Sequence, residues 1–471
     1  MSSATATIKK KHPPGLKVLF LTEMWERFSF YCMLSILSLY MNEQFTGGGL
    51  GFSTDKTSQF YGLYVGLVYF TPFFGGIIAD RVFGLRKTII IGGLFMMAGH
   101  FLLAFRPLPF FFSALACLII GNGCFKPNIS VMLGNLYRDM PEKKDDGYNI
   151  FYMGINVGAF MSPLVATTLR NLHPIHGWHY AFAAAGVGMI ISLVTFFMFQ
   201  KHVRAGENLS GDAANDTGMG REVQLTPAQS KRRVTTLLII FAVVIFFWMA
   251  FHQNGLTLTF WARDATNDDA IEAVIASILN TVIFWKTINF TLGAEVYQSI
   301  NPMFVLAFTP LLVIFWRTLR RRKMEPSTAA KLGIGMLLTA ACYAVMATAA
   351  FSGGNAGKVS VAWLIEAYAL ITLGELCLSP MGLSLVSKLS PWKIRGMMMG
   401  GWFAATAIGN YLSGVVGGYW DDVQHSTFFI ILVVTSLFAA ALLFMLLKFL
   451  NPTIKEAEEQ ARELAAQAEN T

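Results

Sequence analysis

Apolar stretches separated by short polar segments occupy almost the whole chain. Twelve of these stretches are close to the roughly 20 residues that a helix needs to cross a bilayer. Six precede a polar segment rich in Gly, Asn and Asp, and six follow it. The predicted spans are residues 16–41, 59–80, 87–105, 108–135, 148–170 and 179–200, and then 234–262, 301–319, 330–351, 360–387, 396–418 and 427–449.

Two sets of six helices around a central linker are typical of secondary transporters, in which two bundles enclose a site near the middle of the bilayer. We therefore predict an all-α membrane protein with twelve transmembrane helices in two six-helix bundles. Between the seventh and eighth spans, the apolar stretch 274–285 is too short to cross a bilayer, so we expect an interfacial or re-entrant insertion on the outer side. The predicted division is 1–200 for the first bundle, 201–233 for a flexible cytoplasmic linker, 234–450 for the second bundle with its 267–300 insertion, and 451–471 for a cytoplasmic tail that is a short soluble helix or disordered.

Composition excludes a soluble domain, because 54% of the residues are apolar and only 14% are charged. The net charge of +8 does not indicate a nucleic-acid partner, because the basic residues are unevenly distributed along the chain. The few Lys and Arg residues in segments that we place outside the cell are Lys56, Arg106, Arg170, Arg263, Lys286 and Lys358. This bias predicts a multi-pass protein of the cytoplasmic (inner) cell membrane with both termini in the cytoplasm.

Motifs of enzyme chemistry are missing from the sequence. It has no phosphate-binding glycine–lysine loop, nucleophile elbow or zinc-binding helix motif, so we expect neither an enzyme nor a cofactor. His173, His176 and His179 lie in an outer loop interrupted by Pro174 and Gly177, and we do not expect them to hold a metal. The five cysteines lie in predicted spans without metal-type spacing, and we expect them to be buried thiols.

Three ionisable residues, Glu23, Glu26 and Arg27, lie inside the first predicted span. Their positions i, i+3 and i+4 share one face of a helix. A charge at the bilayer centre costs at least ~2.5–3.5 kcal/mol, so such residues usually pair with one another and line an aqueous or substrate path. Arg27 is able to neutralise one carboxylate while the other accepts a proton, and the cluster therefore predicts a proton site.

Each predicted bundle also contains a deep charge. Lys126 precedes Pro127 in the fourth span, too far from a helix end to reach water, so it needs an anionic partner. Glu375 lies deep in the tenth span, and a Lys126–Glu375 pair is expected to close one face of a cavity between the bundles. A permanent structural pairing of Lys126 to a neighbouring helix is the alternative. In the fifth span, Asn156 either faces the cavity or joins helices by a hydrogen bond.

Taken in order along the chain, the polar motifs resemble those of the proton-dependent oligopeptide transporter (POT) family, within the major facilitator superfamily. The resemblance covers nearly the whole chain, and it is specific because the motifs occur together. It implies a major facilitator fold and peptide uptake coupled to proton influx. The matching motifs are Glu23-x-x-Glu26-Arg27, the Gly75–Lys87 loop, Phe125-Lys126-Pro127-Asn128, Phe151-Tyr152-x-x-Ile155-Asn156, Asn301-Pro302, the Gly374–Pro380 stretch and Trp402.

The resemblance also implies roles for individual residues. The residues that match proton-coupling positions are Glu23, Glu26, Arg27 and Lys126. The basic groups that hold the peptide carboxylate are Arg27 and Lys126. The residues that match the binding site of the peptide's amino end are Glu375, Asn156 and Asn301. The residues that shape side-chain pockets are Tyr31, Tyr64, Tyr69, Trp248 and Trp402.

Two positions depart from the family pattern. Family members often have Tyr-Gly-Met-Arg after the first-span cluster, where this chain has Tyr31-Cys32-Met33-Leu34, and many have Glu or Asp at the position of His252. In the family these two positions form a salt bridge across the outer gate, which Leu34 and His252 cannot form. Because both positions differ, no charged residue at the gate is left without its partner. His252 is either an alternative proton site, since histidine titrates near physiological pH, or a neutral hydrogen-bonding side chain.

We therefore predict a proton-coupled symporter that imports di- and tripeptides by alternating access. It is expected to be a monomer whose partners are small peptides, protons and the lipid bilayer. The first alternative is a transporter of the same fold for another small solute, such as nitrate or a peptide-like drug, although Glu375 favours a substrate with an amine. The second is a non-transporting sensor, against which the intact coupling residues argue.

Overall fold

The computed structural model describes residues 12–138, 140, 143–207, 225–273, 291–391 and 394–469. Long helices account for most of this chain, and the predicted all-α membrane architecture is confirmed. The helices of the first half are α1 (Gly15–Asn42), α2 (Thr54–Phe70), α3 (Pro72–Ile78), α4 (Gly84–Leu103), α5 (Leu108–Leu136), α6 (Lys144–Arg170) and α7 (Gly177–Phe199). Those of the second half are α8 (Pro227–Phe251), α9 (Thr257–Asp264), α10 (Ile300–Arg321), α11 (Thr328–Ser352), α12 (Ala362–Leu389), α13 (Arg395–Gly417) and α14 (His425–Glu469).

Each half forms a helical bundle. In the first half, α1 packs on α6 and α7, and α4 packs on α5 and α7. In the second half, α11 packs on α12 and α14, and α8 packs on α13 and α14. The halves meet where α2 packs on α13 and where α6 packs on α10, so the space between the bundles is bounded by helices of both.

Nine helical segments of the described residues are long and apolar enough to cross a membrane. One of them, residues 54–103, contains α2 to α4 and is long enough to cross twice. Helices α1 and α13 are not among the nine, although their positions match the first and eleventh predicted spans. Every predicted span therefore has a helix at its position, while the count of twelve crossings stays a prediction.

The seventh span differs from the single helix predicted over 234–262. Helix α8 ends at Phe251, residues His252–Gly255 form a 3-10 turn, and α9 begins at Thr257. The break occurs where the two halves touch, because Ser38 Oγ of α1 donates a hydrogen bond to the Gly255 carbonyl (2.8 Å). A Cβ at Gly255 would overlap the Tyr61 hydroxyl of α2, so any other residue there would force the Tyr61 side chain to move.

The linker and the tail are more ordered than predicted wherever the structure describes them. Residues 200–206 form two 3-10 turns, and α8 begins within the predicted linker, at a capping box of Thr226 and Gln229. The tail is not a separate element, because α14 continues through Pro452 to Glu469. Hydrogen bonds to α8 and α11 hold this extension and explain its order: Gln229–Glu456, Arg233–Gln460 and Thr328–Glu458. Residues 208–224 lie outside the described part.

Hydrogen bonds join the halves at the end of the molecule that carries residues 43–53, 171–176 and 265–268. We call this end the outer end, after the predicted orientation, and the opposite end the inner end. Besides Ser38–Gly255, Arg263 Nη1 donates to Asn42 Oδ1 (2.9 Å). Helices α2 and α13 also meet there, since a Cβ at Gly62 would lie 2.7 Å from Gly414 Cα. The outer end of this structure is therefore closed.

The 267–300 insertion is described only at its two ends. Thr266 and Asn267 form β1, which pairs in parallel with β2 (Val359–Ser360). Residues Ala294–Ser299 form a 3-10 helix that packs on α6. The apolar stretch 274–285, which we expect to be interfacial or re-entrant, lies outside the described residues.

Helix α3 approaches α5 closely at Gly75. A Cβ at Gly75 would overlap the Gly123 carbonyl, and Asn128 Nδ2 of α5 donates to the Gly75 carbonyl (3.1 Å). The next residue, Gly76, has nothing within 4 Å of its Cβ position. These neighbours therefore provide a matched pair for testing the packing.

We expect Gly75→Ala to destabilise the protein by about 1–3 kcal/mol, because an added methyl forces α3 and α5 apart. Gly76→Ala should leave stability unchanged or slightly higher, since alanine favours helix and meets no obstacle. The unfolding temperatures of both variants are measured by heating the purified proteins in detergent and monitoring the loss of folded protein by size-exclusion chromatography. Equal unfolding temperatures for the two variants would contradict the described packing.

Candidate functional site

A cavity of about 350 Å³ lies between the two halves. Its volume is within the range of small-molecule sites, which is about 300–1,000 Å³. The ionisable acids and bases in its wall are Glu23, Arg27, Lys126, His252 and Glu375. The sequence-predicted site residues that line it are these five together with Tyr31, Tyr69, Asn156, Trp248, Asn301 and Trp402.

Two predicted site residues are not part of the cavity wall in this structure. Glu26 is fully buried against Arg27, and the side chain of Tyr64 is buried among the helices of the first half. The Tyr64 hydroxyl has no hydrogen-bond partner in the described part of the chain. The wall instead includes Tyr61, one turn before Tyr64 on α2.

The α1 cluster holds Arg27 at several points. Arg27 donates to both oxygens of Glu26, with Nε–Oε2 at 2.5 Å and Nη2–Oε1 at 2.6 Å, and its Nε lies 3.3 Å from Glu23 Oε1. Its Nη2 also donates to Asn122 Oδ1 of α5 (3.2 Å). All three ionisable side chains are at most 2% exposed. Arg27 is thus occupied by two carboxylates, as a buried guanidinium requires.

Glu23 is the member of the cluster with spare capacity. It lines the cavity, and its Oε2 has no hydrogen-bond partner among the described residues. A carboxylate oxygen that accepts no hydrogen bond is able to take up a proton and then donate one.

Lys126 of α5 faces the same cavity. Its Nζ lies 4.3 Å from the centre of the Tyr69 ring, a cation–π contact. It lies within electrostatic range of Glu23, Glu26 and Arg27, but no ion pair between described residues includes it. The expected Lys126–Glu375 pair is therefore not formed in this conformation, which leaves the ammonium group open to the cavity.

Glu375 of α12 lies on the wall contributed by the second half. Asn301 Nδ2 of α10 donates to Glu375 Oε2 and to Thr372 Oγ1, each at 3.0 Å. No ion pair in the described ranges includes Glu375. The cavity thus presents an unpaired cation from one half and an unpaired anion from the other.

Aromatic rings form much of the remaining wall. The His252 ring lies 5.8 Å from Tyr69 and 5.7 Å from Trp248, and its Nε2 has no hydrogen-bond partner within the described residues. Trp402 packs over Gly382 of α12, where a Cβ would overlap its indole ring. Such rings provide apolar contact that tolerates many side chains.

Sequence reasoning missed some wall residues. Gln298 comes from the 267–300 insertion, and its Nε2 donates to the Ser35 carbonyl of α1 and to Thr259 Oγ1, each at 3.0 Å. Asn254 belongs to the turn that interrupts the seventh span. Neither residue is part of a periodic pattern, so only the fold brings them to the site. Leu34 also faces the cavity, where it adds apolar surface.

Comparisons with known proteins agree with one another. The model of the POT family matches residues 86–219 and 205–435. The uncharacterized transporter YclF of Bacillus subtilis (strain 168) is 34% identical, over 95% of each chain. The di-/tripeptide transporter of Lactococcus lactis subsp. lactis (strain IL1403) is 31% identical, over 93% of this chain and 95% of its own. A crystal structure of a peptide transporter POT in complex with sulfate superposes with a TM-score of 0.81 at 28% identity, covering 95% of this chain and 96% of that one.

Proposed function

Because this chain belongs to the POT family of membrane transporters, we propose that it is a proton-coupled symporter that imports di- and tripeptides by alternating access. One observation carries the proposal. Lys126 and Glu375 line the same cavity with opposite charges, and no ion pair between described residues includes either of them. A small peptide has a carboxylate at one end and an ammonium at the other. The cavity offers a partner for each, and the aromatic wall accommodates the side chains.

The buried charges give a physical reason for proton coupling. Glu23, Glu26, Arg27 and Lys126 together are neutral when all are ionised. A peptide carboxylate that binds Lys126 adds one negative charge to this enclosed group. Excess buried charge is costly, so a proton on a carboxylate restores neutrality. We assign that proton to Glu23, whose Oε2 is free to receive it.

The proposed cycle begins with the cavity open to the outside, where proton and peptide enter. Lys126, assisted by Arg27, binds the peptide carboxylate, and Glu375 binds its ammonium with Asn301 and Asn156 alongside. The halves then rock about the site until it opens at the inner end. One charge crossing 100 mV supplies ~2.3 kcal/mol, enough for roughly 40-fold accumulation.

His252 is a second candidate for the proton in this proposal. It occupies the position where many relatives have an acid, and it lies against Tyr69 and Trp248 within electrostatic range of Lys126. Its alternative role is that of a neutral side chain in the aromatic wall. A change in the number of protons imported per peptide on His252→Ala would favour the first role, and an unchanged number the second.

We also propose the cytoplasmic membrane as the location, with both termini in the cytoplasm and a monomer as the working unit. The concentration of basic residues at the inner end supports this orientation. We further propose that residues 1–200 and 234–450 are the moving units, joined by the 201–233 linker.

Uptake of labelled dialanine into proteoliposomes tests the proposed function. We expect accumulation that depends on an inward proton gradient and an inside-negative potential and that excess unlabelled tripeptide abolishes. Equilibration without accumulation would keep the peptide as substrate but remove the coupling, pointing to Leu34 and His252. No uptake by correctly inserted protein would overturn the peptide proposal in favour of another small solute.

A further inference from the structure

A buried ion pair joins the two halves at the outer end. Arg170, the last residue of α6, places its Nε 3.0 Å from Glu295 Oε1. Glu295 belongs to the 3-10 helix Ala294–Ser299 in the second half and is fully buried, whereas Arg170 is 23% exposed. The Arg170 guanidinium also lies 4.9 Å from the Trp178 ring, which limits its freedom.

The surroundings of Glu295 are shaped to receive its carboxylate. Thr167 Oγ1, one turn before Arg170, donates to Glu295 Oε1 at 2.6 Å. A Cβ at Gly293 would lie 2.5 Å from Oε1, 2.5 Å from Thr167 Oγ1 and 2.6 Å from Oε2, so a side chain there would disturb the contact between the carboxylate and Thr167. Oε2 has no hydrogen-bond partner among the described residues. This carboxylate therefore depends on Thr167 and Arg170, both of which belong to the opposite half.

Further hydrogen bonds attach the same segment to the first half. Ser299 Oγ donates to the Phe160 carbonyl (2.9 Å), and Asn171 Nδ2 donates to the Thr291 carbonyl (2.8 Å). Gln298 reaches the Ser35 carbonyl of α1, next to Leu34. Leu34 is the position at which relatives often have the arginine of an outer salt bridge. The ionic contact between the halves is thus found here on α6 and the 291–299 segment.

We propose that Arg170 and Glu295 are the residues that control opening of the outer end. The pair holds the outer end closed when the cavity faces inward, and it separates each time the cavity opens outward. The 291–299 segment then moves with the second half and leaves α1 and α6. This inference rests on the proposed alternating access, but the separation of the outer ends is measurable without any transport.

Pulsed electron paramagnetic resonance between two spin labels measures that separation. The labels are placed at Phe105 and Lys358, exposed positions at the outer end of the first and second half, after replacement of the five free cysteines. In nanodiscs, Glu295→Gln should raise the longer-distance population several-fold. Gly293→Ala, which removes no charge, should act in the same direction.

Arg106→Gln is the matched control, because it removes an exposed positive charge at the same end whose hydrogen bond, to the Phe45 carbonyl, stays within the first half. Its distance distribution should equal that of the parent. Distributions for Glu295→Gln and Gly293→Ala that match the control would overturn the inference. If Glu295→Gln lengthens the distance but the parent protein does not transport peptides, the inference about Arg170 and Glu295 holds and the proposed function is wrong.

Discussion

We expect Lys126→Ala to abolish the accumulation of dialanine that a proton gradient and a membrane potential drive. In the structure, the Lys126 ammonium faces the cavity without a carboxylate partner among the described residues, so it is available to the peptide carboxylate. Its removal leaves the Glu23–Glu26–Arg27 cluster with one net negative charge, and this charge repels the carboxylate of the peptide. We expect the ratio of internal to external dialanine to fall from tens to about one, given the roughly 40-fold that one charge at 100 mV supports.

Lys358→Ala is the control for this experiment, because Lys358 is exposed in a loop at the outer end. It should accumulate dialanine as well as the parent protein does. Counterflow with unlabelled peptide inside the vesicles separates lost coupling from lost binding. Full concentrative uptake by the Lys126→Ala protein would remove this lysine from the mechanism.

We expect Glu375→Gln to weaken the binding of peptides with a free amino end more than that of peptides with a blocked one. A hydrogen bond to a charged group contributes about 1.5–3 kcal/mol, which corresponds to roughly 10- to 100-fold in affinity. Glutamine keeps the shape and the contact to Asn301 but carries no charge for an ammonium. The affinity for dialanine should therefore fall by this factor, while that for N-acetyl-dialanine, measured by competition, should stay nearly constant.

Glu366→Gln serves as the comparison, since Glu366 is an exposed glutamate nine residues earlier on the same helix. It should bind both peptides as the parent does. An equal loss of affinity for the free and the blocked peptide in Glu375→Gln would contradict the assignment of the amino end to Glu375. In that case the carboxylate would have to support the site through Asn301 alone.

The helices and the charged residues of the site could be predicted from the sequence, whereas the contacts between the halves could not. Long apolar runs require helices in lipid, and a carboxylate or lysine inside such a run has few solutions other than a cavity. Glu23, Lys126 and Glu375 follow from this argument without knowledge of the fold. The sequence does not indicate which conformation the transporter adopts. The Lys126–Glu375 pair was therefore expected, although the structure does not form it.

The missed features arise from contacts between distant parts of the chain. Arg170 was counted only as an outer basic residue, and Glu295 lay in a segment without a recognised pattern. Their pairing depends on how α6 packs against the 291–299 segment. The local sequence pattern of either segment does not predict this packing. The break after Phe251 has the same origin, since it forms where Ser38 meets Gly255. The sequence predicts a tail separate from the last span, but the hydrogen bonds of Glu456 and Gln460 to α8 hold the helix together beyond Pro452.

The continuous helix α14 offers a practical handle for imaging. At 1.5 Å per residue, its part beyond Leu450 is about 30 Å long, and its bonds to α8 and α11 fix its direction. A small rigid protein fused in helical register to this extension would move together with the second half and not with the first. Such a marker would supply the asymmetric mass that a 52 kDa membrane protein lacks for particle alignment in electron cryo-microscopy. It would also report by its tilt which way the transporter faces.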